Sequence, residues 1–254
     1  MSPNRVETLE RGNVYFLFRP KIGEESPEKL EDVQRMLVVL SPEGLQSYRL
    51  LVIGRKQLPE PEQSGREKNW GFVDMVSKSP ESIENRLDPQ KYATKTRGER
   101  DLPAVRPIGE GVYEIVRHDA HTHFTYALEL PKGPGDAQAA FNIEREASYV
   151  LSIKNPQTDA PLGAGLAEPQ QVQFPRDLQN KFRGRRFCEA DPPDFLNYEG
   201  AEFVLISAAE DVSDELGIQL HPENESVASA DIFNDLKMEK TIHPLKPLFR
   251  GEWE

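Results

Sequence analysis

Three of the chain's five histidines, His118, His121 and His123, fall within six residues, and no other stretch concentrates reactive side chains so tightly. Neutral imidazoles suit zinc, iron, nickel or copper. Three rings joined by a carboxylate such as Glu114 would make a divalent transition-metal site, whose ion would acidify a bound water or polarise a substrate oxygen. Without a metal, the same rings titrate near neutral pH and could act as general acids or bases. The plainer alternative is that they decorate a solvated strand face near a hairpin tip.

A second chemistry is suggested by two basic clusters, Lys95, Arg97, Arg100, Arg106 and Lys181, Arg183, Arg185, Arg186. Guanidinium groups hold phosphate or carboxylate through paired hydrogen bonds. Arg117, Arg183, Arg185 and Arg186 converging on the histidines would form a pocket for a small anionic molecule, phosphorylated ones included. Glu99, Asp101 and Glu189 compete for these cations, and most directly for the first cluster. Basic residues at a helix end also favour the backbone dipole without any ligand.

The histidines sit in Gly109–Pro131, GEGVYEIVRHDAHTHFTYALELP, which reads as two strands turning at Asp119-Ala120. Setting His118 opposite His121 pairs Tyr113 with Tyr126 and Ile115 with Phe124 on one face, leaving Glu114 and the three histidines on the other. Asp-Ala is a poor type I′ pair, because alanine resists positive φ. Residues 118–134, HDAHTHFTYALELPKGP, resemble the His-Asp hairpin of the 3′-phosphoesterase modules attached to some bacterial DNA ligases. The resemblance departs where it matters: His123 comes one residue early, Thr125 stands where an acidic ligand belongs, and the following Arg is absent. The activity of those modules is therefore not carried over.

The rest of the chain must position these groups. Val14–Arg19, Met36–Leu40, Tyr48–Gly54, Trp70–Val76, Tyr149–Ile153 and Phe203–Ile206 read as strands. Short helices are expected after Ser79, over 135–146, over 175–182 and over 211–216. Prolines and glycines make 155–175 a long loop. Val14-Tyr15-x-x-x-Arg19 is echoed by Val112-Tyr113-x-x-x-Arg117, and Tyr48, Phe72 and Ser77 by Tyr149, Phe203 and Ser207. This suggests a β-β-β-β-α unit used twice. The expected fold is thus α+β, mainly antiparallel sheet with short peripheral helices and long proline-bearing loops. The expected divisions are 8–100, 101–218 carrying the hairpin, and a surface-wrapping tail over 219–254.

Composition narrows the function. A formal charge of −12 argues against general nucleic-acid binding. A hydrophobic content of 37% with 21 prolines predicts irregular structure around a modest core. Cys188 is the single cysteine, so no intrachain disulfide forms, and its acidic surroundings disfavour a thiolate nucleophile. No apolar run is long enough for a membrane span, and a cytoplasmic protein is expected. Gly163-Ala164-Gly165 is too short for a dinucleotide fingerprint, and no G-x-S-x-G, H-E-x-x-H or Walker pattern occurs. Two functions remain: an enzyme or binding protein for a small anion, metal-assisted through the hairpin, or a non-catalytic protein-interaction module.

Overall fold

The strand-like segments form as expected, but they close on one another. The computed structural model describes residues 6–61, 67–94, 98–160, 170–209 and 212–254. Its strands are β1 (Glu7–Pro20), β2 (Val33–Pro42), β3 (Tyr48–Ile53), β4 (Lys68–Ser77), β5 (Gln90–Thr94), β6 (Gly98–Leu102), β7 (Arg106–His118), β8 (His121–Leu130), β9 (Glu146–Lys154), β10 (Phe187–Glu189) and β11 (Glu202–Ala209). Around the ring the order is β1, β2, β3, β4, β11, β9, β8, β7 and back to β1, antiparallel at every step. The short β10 pairs with the end of β9, and β5 pairs with β6 outside the ring. The helices are α1 (Pro80–Leu87), α2 (Asp136–Ala140), α3 (Arg176–Lys181), α4 (Val212–Leu216), α5 (Ile232–Asp235) and α6 (Lys246–Arg250), none of them long or apolar enough to cross a membrane.

The α+β expectation is therefore corrected to an eight-stranded closed antiparallel barrel with a few short helices. Strand alternation supplies its inside. Val14, Phe16 and Phe18 of β1 point inward with Tyr113 and Ile115 of β7, and all eight strands contribute to that one buried cluster. A ring of eight strands is just wide enough for side chains to fill. Among the described residues, a central void of only ≈ 20 Å³ is lined by apolar side chains such as Leu51, Phe124 and Phe203, too small for more than a water. One end is stopped by Phe141, Ile143 and Leu58, with Trp253 against Phe18 and Phe141. The other is stopped by Leu178, Phe182, Phe195 and Leu196. At that second end Arg49, fully buried, donates to both oxygens of Glu10 (2.6 and 2.8 Å) and to Asn197 Oδ1 (2.8 Å), while the Tyr113 hydroxyl donates to Glu10.

The residue echo does not survive either. Tyr15, Phe72 and Tyr48 lie on the outer face, whereas Tyr113, Phe203 and Tyr149 point into the barrel. A one-residue difference in phase sends every side chain to the opposite face, so these are not equivalent positions. β1–β4 and β7, β8, β9, β11 instead supply the two arcs of one ring, joined where β1 meets β7 and β4 meets β11. On the outside, Leu17, Leu37, Val39 and Val52 are covered by Ile83 and Leu87 of α1 and by Ile232, Leu236, Met238 and Leu248 from the C-terminal segment.

Candidate functional site

The hairpin takes the register read from its sequence, with His118 opposite His121, Tyr113 opposite Tyr126 and Ile115 opposite Phe124. Asp119 alone at the turn has positive φ (53°), so Ala120 keeps an ordinary backbone. That is the φ pattern of a type II′ turn, which resolves the objection to alanine in a type I′ pair.

The histidines share an outward face yet have different surroundings. His123 is buried, its Nδ1 3.1 Å from Ser148 Oγ and 3.8 Å from Glu215 Oε1. Burial first, then the neighbouring His118 and His121, push it down to about 4, so it is neutral at ordinary pH. Ser148 and Glu215 approach the same ring nitrogen, which is not the relay of a catalytic triad. The His118 ring lies 6.0 Å from that of His123, half-buried. His121 is exposed. Glu114 accepts a hydrogen bond from Thr8 (2.9 Å). Among the described residues, no three of His118, His121, His123 and Glu114 bring ligating atoms within 4.8 Å of one another, so the expected metal set is not assembled.

What does assemble is a cleft of ≈ 330 Å³ at the hairpin tip, lined by Arg117, Asp119, His121, Lys181, Arg183, Arg185, Glu189 and Asp191, with Ala120 and Thr122 at its floor. Three segments build it. The β7–β8 tip supplies Arg117 and His121. The end of α3, anchored by buried Leu178 and Phe182, supplies Lys181, Arg183 and Arg185. β10, with Asp191 just beyond it, supplies the carboxylates; its position is held by the Thr122 hydroxyl, which accepts from the Ala190 amide (2.9 Å) and donates to Leu151 O (2.7 Å).

The cations differ in what is left for a ligand. Arg117 already pairs with Glu7 and with Asp191 (2.6 Å), and both carboxylates hold its guanidinium more firmly charged. Arg185 pairs with Glu189 at 3.2 Å. Lys181 and Arg183 are exposed and have no ion-pair partner among the described residues. Arg183 also sits at φ 49°, followed by Gly184 at φ 75°. A non-glycine residue in the left-handed region costs on the order of 1 kcal/mol and is retained where surrounding structure or function demands it. Arg186 does not line the cleft.

No protein-family model, curated protein or solved structure matches this chain.

Of the residues read from sequence, the structure thus gathers His121, Arg117, Arg183 and Arg185 at one cleft and leaves His118, His123, Glu114 and Arg186 outside its lining. Arg106 of the other basic cluster is turned inward, donating to Ala104 O and to Glu254 (2.9 Å). Lys95, Arg97 and Gly163-Ala164-Gly165 lie outside the described residues, as does the 161–169 part of the proline-bearing loop, and the Arg100 side chain is likewise outside them. Sequence reasoning missed Asp191 as the partner of Arg117, the interior Arg49–Glu10 pair, and a buried group of carboxyls from β7, β8 and the C-terminal segment. Glutamates in an acidic chain read as solvated, so no local signal marked that group. Cys188 is buried and pushed up to about 12, by burial first and by Glu189 second, which leaves it an inert thiol.

Proposed function

We propose that this protein binds a small anionic molecule, of the phosphate-ester class, in the cleft between the β7–β8 tip and the end of α3. The observation that carries this reading is that Lys181 and Arg183 face one cleft with no carboxylate partner among the described residues, beside cations already neutralised by Glu7, Asp191 and Glu189. An entering anion would find two uncommitted cations and the ring of His121 within one concave surface. The ≈ 20 Å³ void among the barrel's apolar side chains, too small for such an anion, supports the outer location. The reading is one of binding. Metal assistance is not part of it, since no three of the histidines and Glu114 bring ligating atoms within 4.8 Å among the described residues.

The test is thermal unfolding with inorganic phosphate, pyrophosphate or glycerol phosphate added at millimolar concentration. A ligand bound only by the folded state raises stability by about 2.7 kcal/mol at one hundred times its Kd. Arg183→Gly separates function from folding, since glycine is at ease at φ 49°. It should unfold within about 1 kcal/mol of the wild type while weakening phosphate binding roughly 10-fold or more, the loss expected for one charge-assisted hydrogen bond. Lys181→Glu should weaken binding further and flatten its salt dependence. No ligand-induced rise for any of the three anions, or a rise that both variants retain, would overturn the proposal.

A further inference from the structure

Beside its apolar contacts, the C-terminal segment meets the barrel's outer face through a cluster of acids. Glu110 of β7, Glu129 of β8 and Glu225 of the segment bring carboxylate oxygens within 4.8 Å of one another, all three buried. Glu110 accepts from the amides of Asp231 (2.6 Å) and Ile232 (3.3 Å). Glu225 accepts from the same Asp231 amide (3.1 Å), and Glu129 accepts from the Glu223 amide. The ionisable neighbours are acidic too. Asp231 and Glu223 bear on Glu129, and Asp235 lies beside Asp231, receiving the Tyr15 hydroxyl of β1 (2.7 Å). The strongest charges acting on Glu110 and Glu129 include no lysine, arginine or histidine.

A second contact of the same segment is polar as well. His243, buried, places Nδ1 3.0 Å from Val105 O and Nε2 3.1 Å from Asp88 Oδ1. Both partners are hydrogen-bond acceptors, one on the strand side and one on α1. Asp88 is the C-cap of α1, and its own carbonyl accepts from Arg19 (3.3 Å).

We propose that residues 219–243 form a proton-fastened strap, closed over the outer face of β1–β3 in acid and loosened as pH rises. Three buried carboxyls cannot all ionise at such separations, so protons must bridge them while the strap is closed. Burial raises both Glu110 and Glu129, Glu129 to about 7, and neighbouring carboxylates add to each. For an acid so raised, the closed form binds more protons than the open one. Its advantage is complete below the ordinary carboxyl range and is lost as pH climbs through about 7 and above. Opening would expose Leu17, Leu37 and Val39 on the barrel wall, now covered by Ile232, Leu236 and Met238. The part beyond 243 is also docked by a contact that does not titrate, Gln138 donating to both Ile108 O (2.6 Å) and Pro247 O (2.9 Å), beside the Arg106–Glu254 pair (2.9 Å).

The test uses the full chain and follows hydrogen exchange at the amides of Glu223, Asp231 and Ile232, corrected for intrinsic hydroxide catalysis. Protection should fall at least tenfold between pH 5.5 and 8.5 while barrel amides such as that of Phe16 keep theirs. Glu129→Gln keeps an acceptor for the Glu223 amide and supplies a permanent donor to its neighbours. It should hold the strap closed, with less than a threefold change over the same range. Constant protection in the wild type, or an unchanged pH response in Glu129→Gln, would overturn the proposal. So would protection restored at pH 8.5 by added calcium or manganese, because the carboxylates would then be gathering a cation rather than protons.

Discussion

Replacing Arg49 by methionine tests whether this fully buried guanidinium is held by the pairing described. The side chain is wholly buried, and its fork meets both oxygens of Glu10, with Asn197 on the remaining nitrogen. Removing it leaves the Glu10 carboxylate 9% exposed and supported by the Tyr113 hydroxyl alone. Breaking one side of a buried ion pair costs about 3–5 kcal/mol, mostly because a charge is left without compensation. Against a total stability of about 5–15 kcal/mol this is a large fraction. In a chain of this size it lowers Tm by roughly 6–20 °C. The assay is urea unfolding of Arg49→Met, Glu10→Leu and the double variant. If the cost is the stranded charge, the double variant is more stable than Arg49→Met, because neither partner is then left charged. Losses that simply add, or an Arg49→Met loss under about 1 kcal/mol, would refute the argument.

Two further outcomes follow from other groups. His123 is held near 4 against an ordinary 6.5, so its contribution is present above 6.5 and is lost as pH falls through about 4. Its ring resonances should stay those of neutral imidazole down to pH 5, and wild type should lose up to about 3 kcal/mol between pH 6.5 and 4 that His123→Gln does not. Cys188, buried and raised to about 12, should resist iodoacetamide in native protein at pH 8 for hours and react within minutes in denaturant, as followed by mass spectrometry.

The hairpin was legible because alternation and a short turn determine register locally. Tyr113, Ile115, Phe124 and Tyr126 make an apolar face that only one pairing keeps together. Closure was not legible, because β4 meets β11 and β1 meets β7 across long separations for which individual strands carry no code. The same gap explains the misleading echo: Val-Tyr recurs in β1 and β7, but which of the two residues points inward depends on pairing with distant strands. At the cleft, residue type announced the cations, while their remaining capacity depended on Glu7, Asp191 and Glu189, which only folding brings into reach. His123 looked like its two neighbours in sequence and became buried because α4 brings Glu215 over it.

Joining β4 to β11 also imposes an order on synthesis. Phe72 and its partner Glu202 are about 130 residues apart, a delay on the order of ten seconds at ordinary elongation rates. During that interval the first arc emerges with both lateral strands carrying bare amides and carbonyls, each a template for another nascent chain. Ribosome spacing and chaperone occupancy over the first half of the message should therefore govern yield more strongly than the stability of the finished ring.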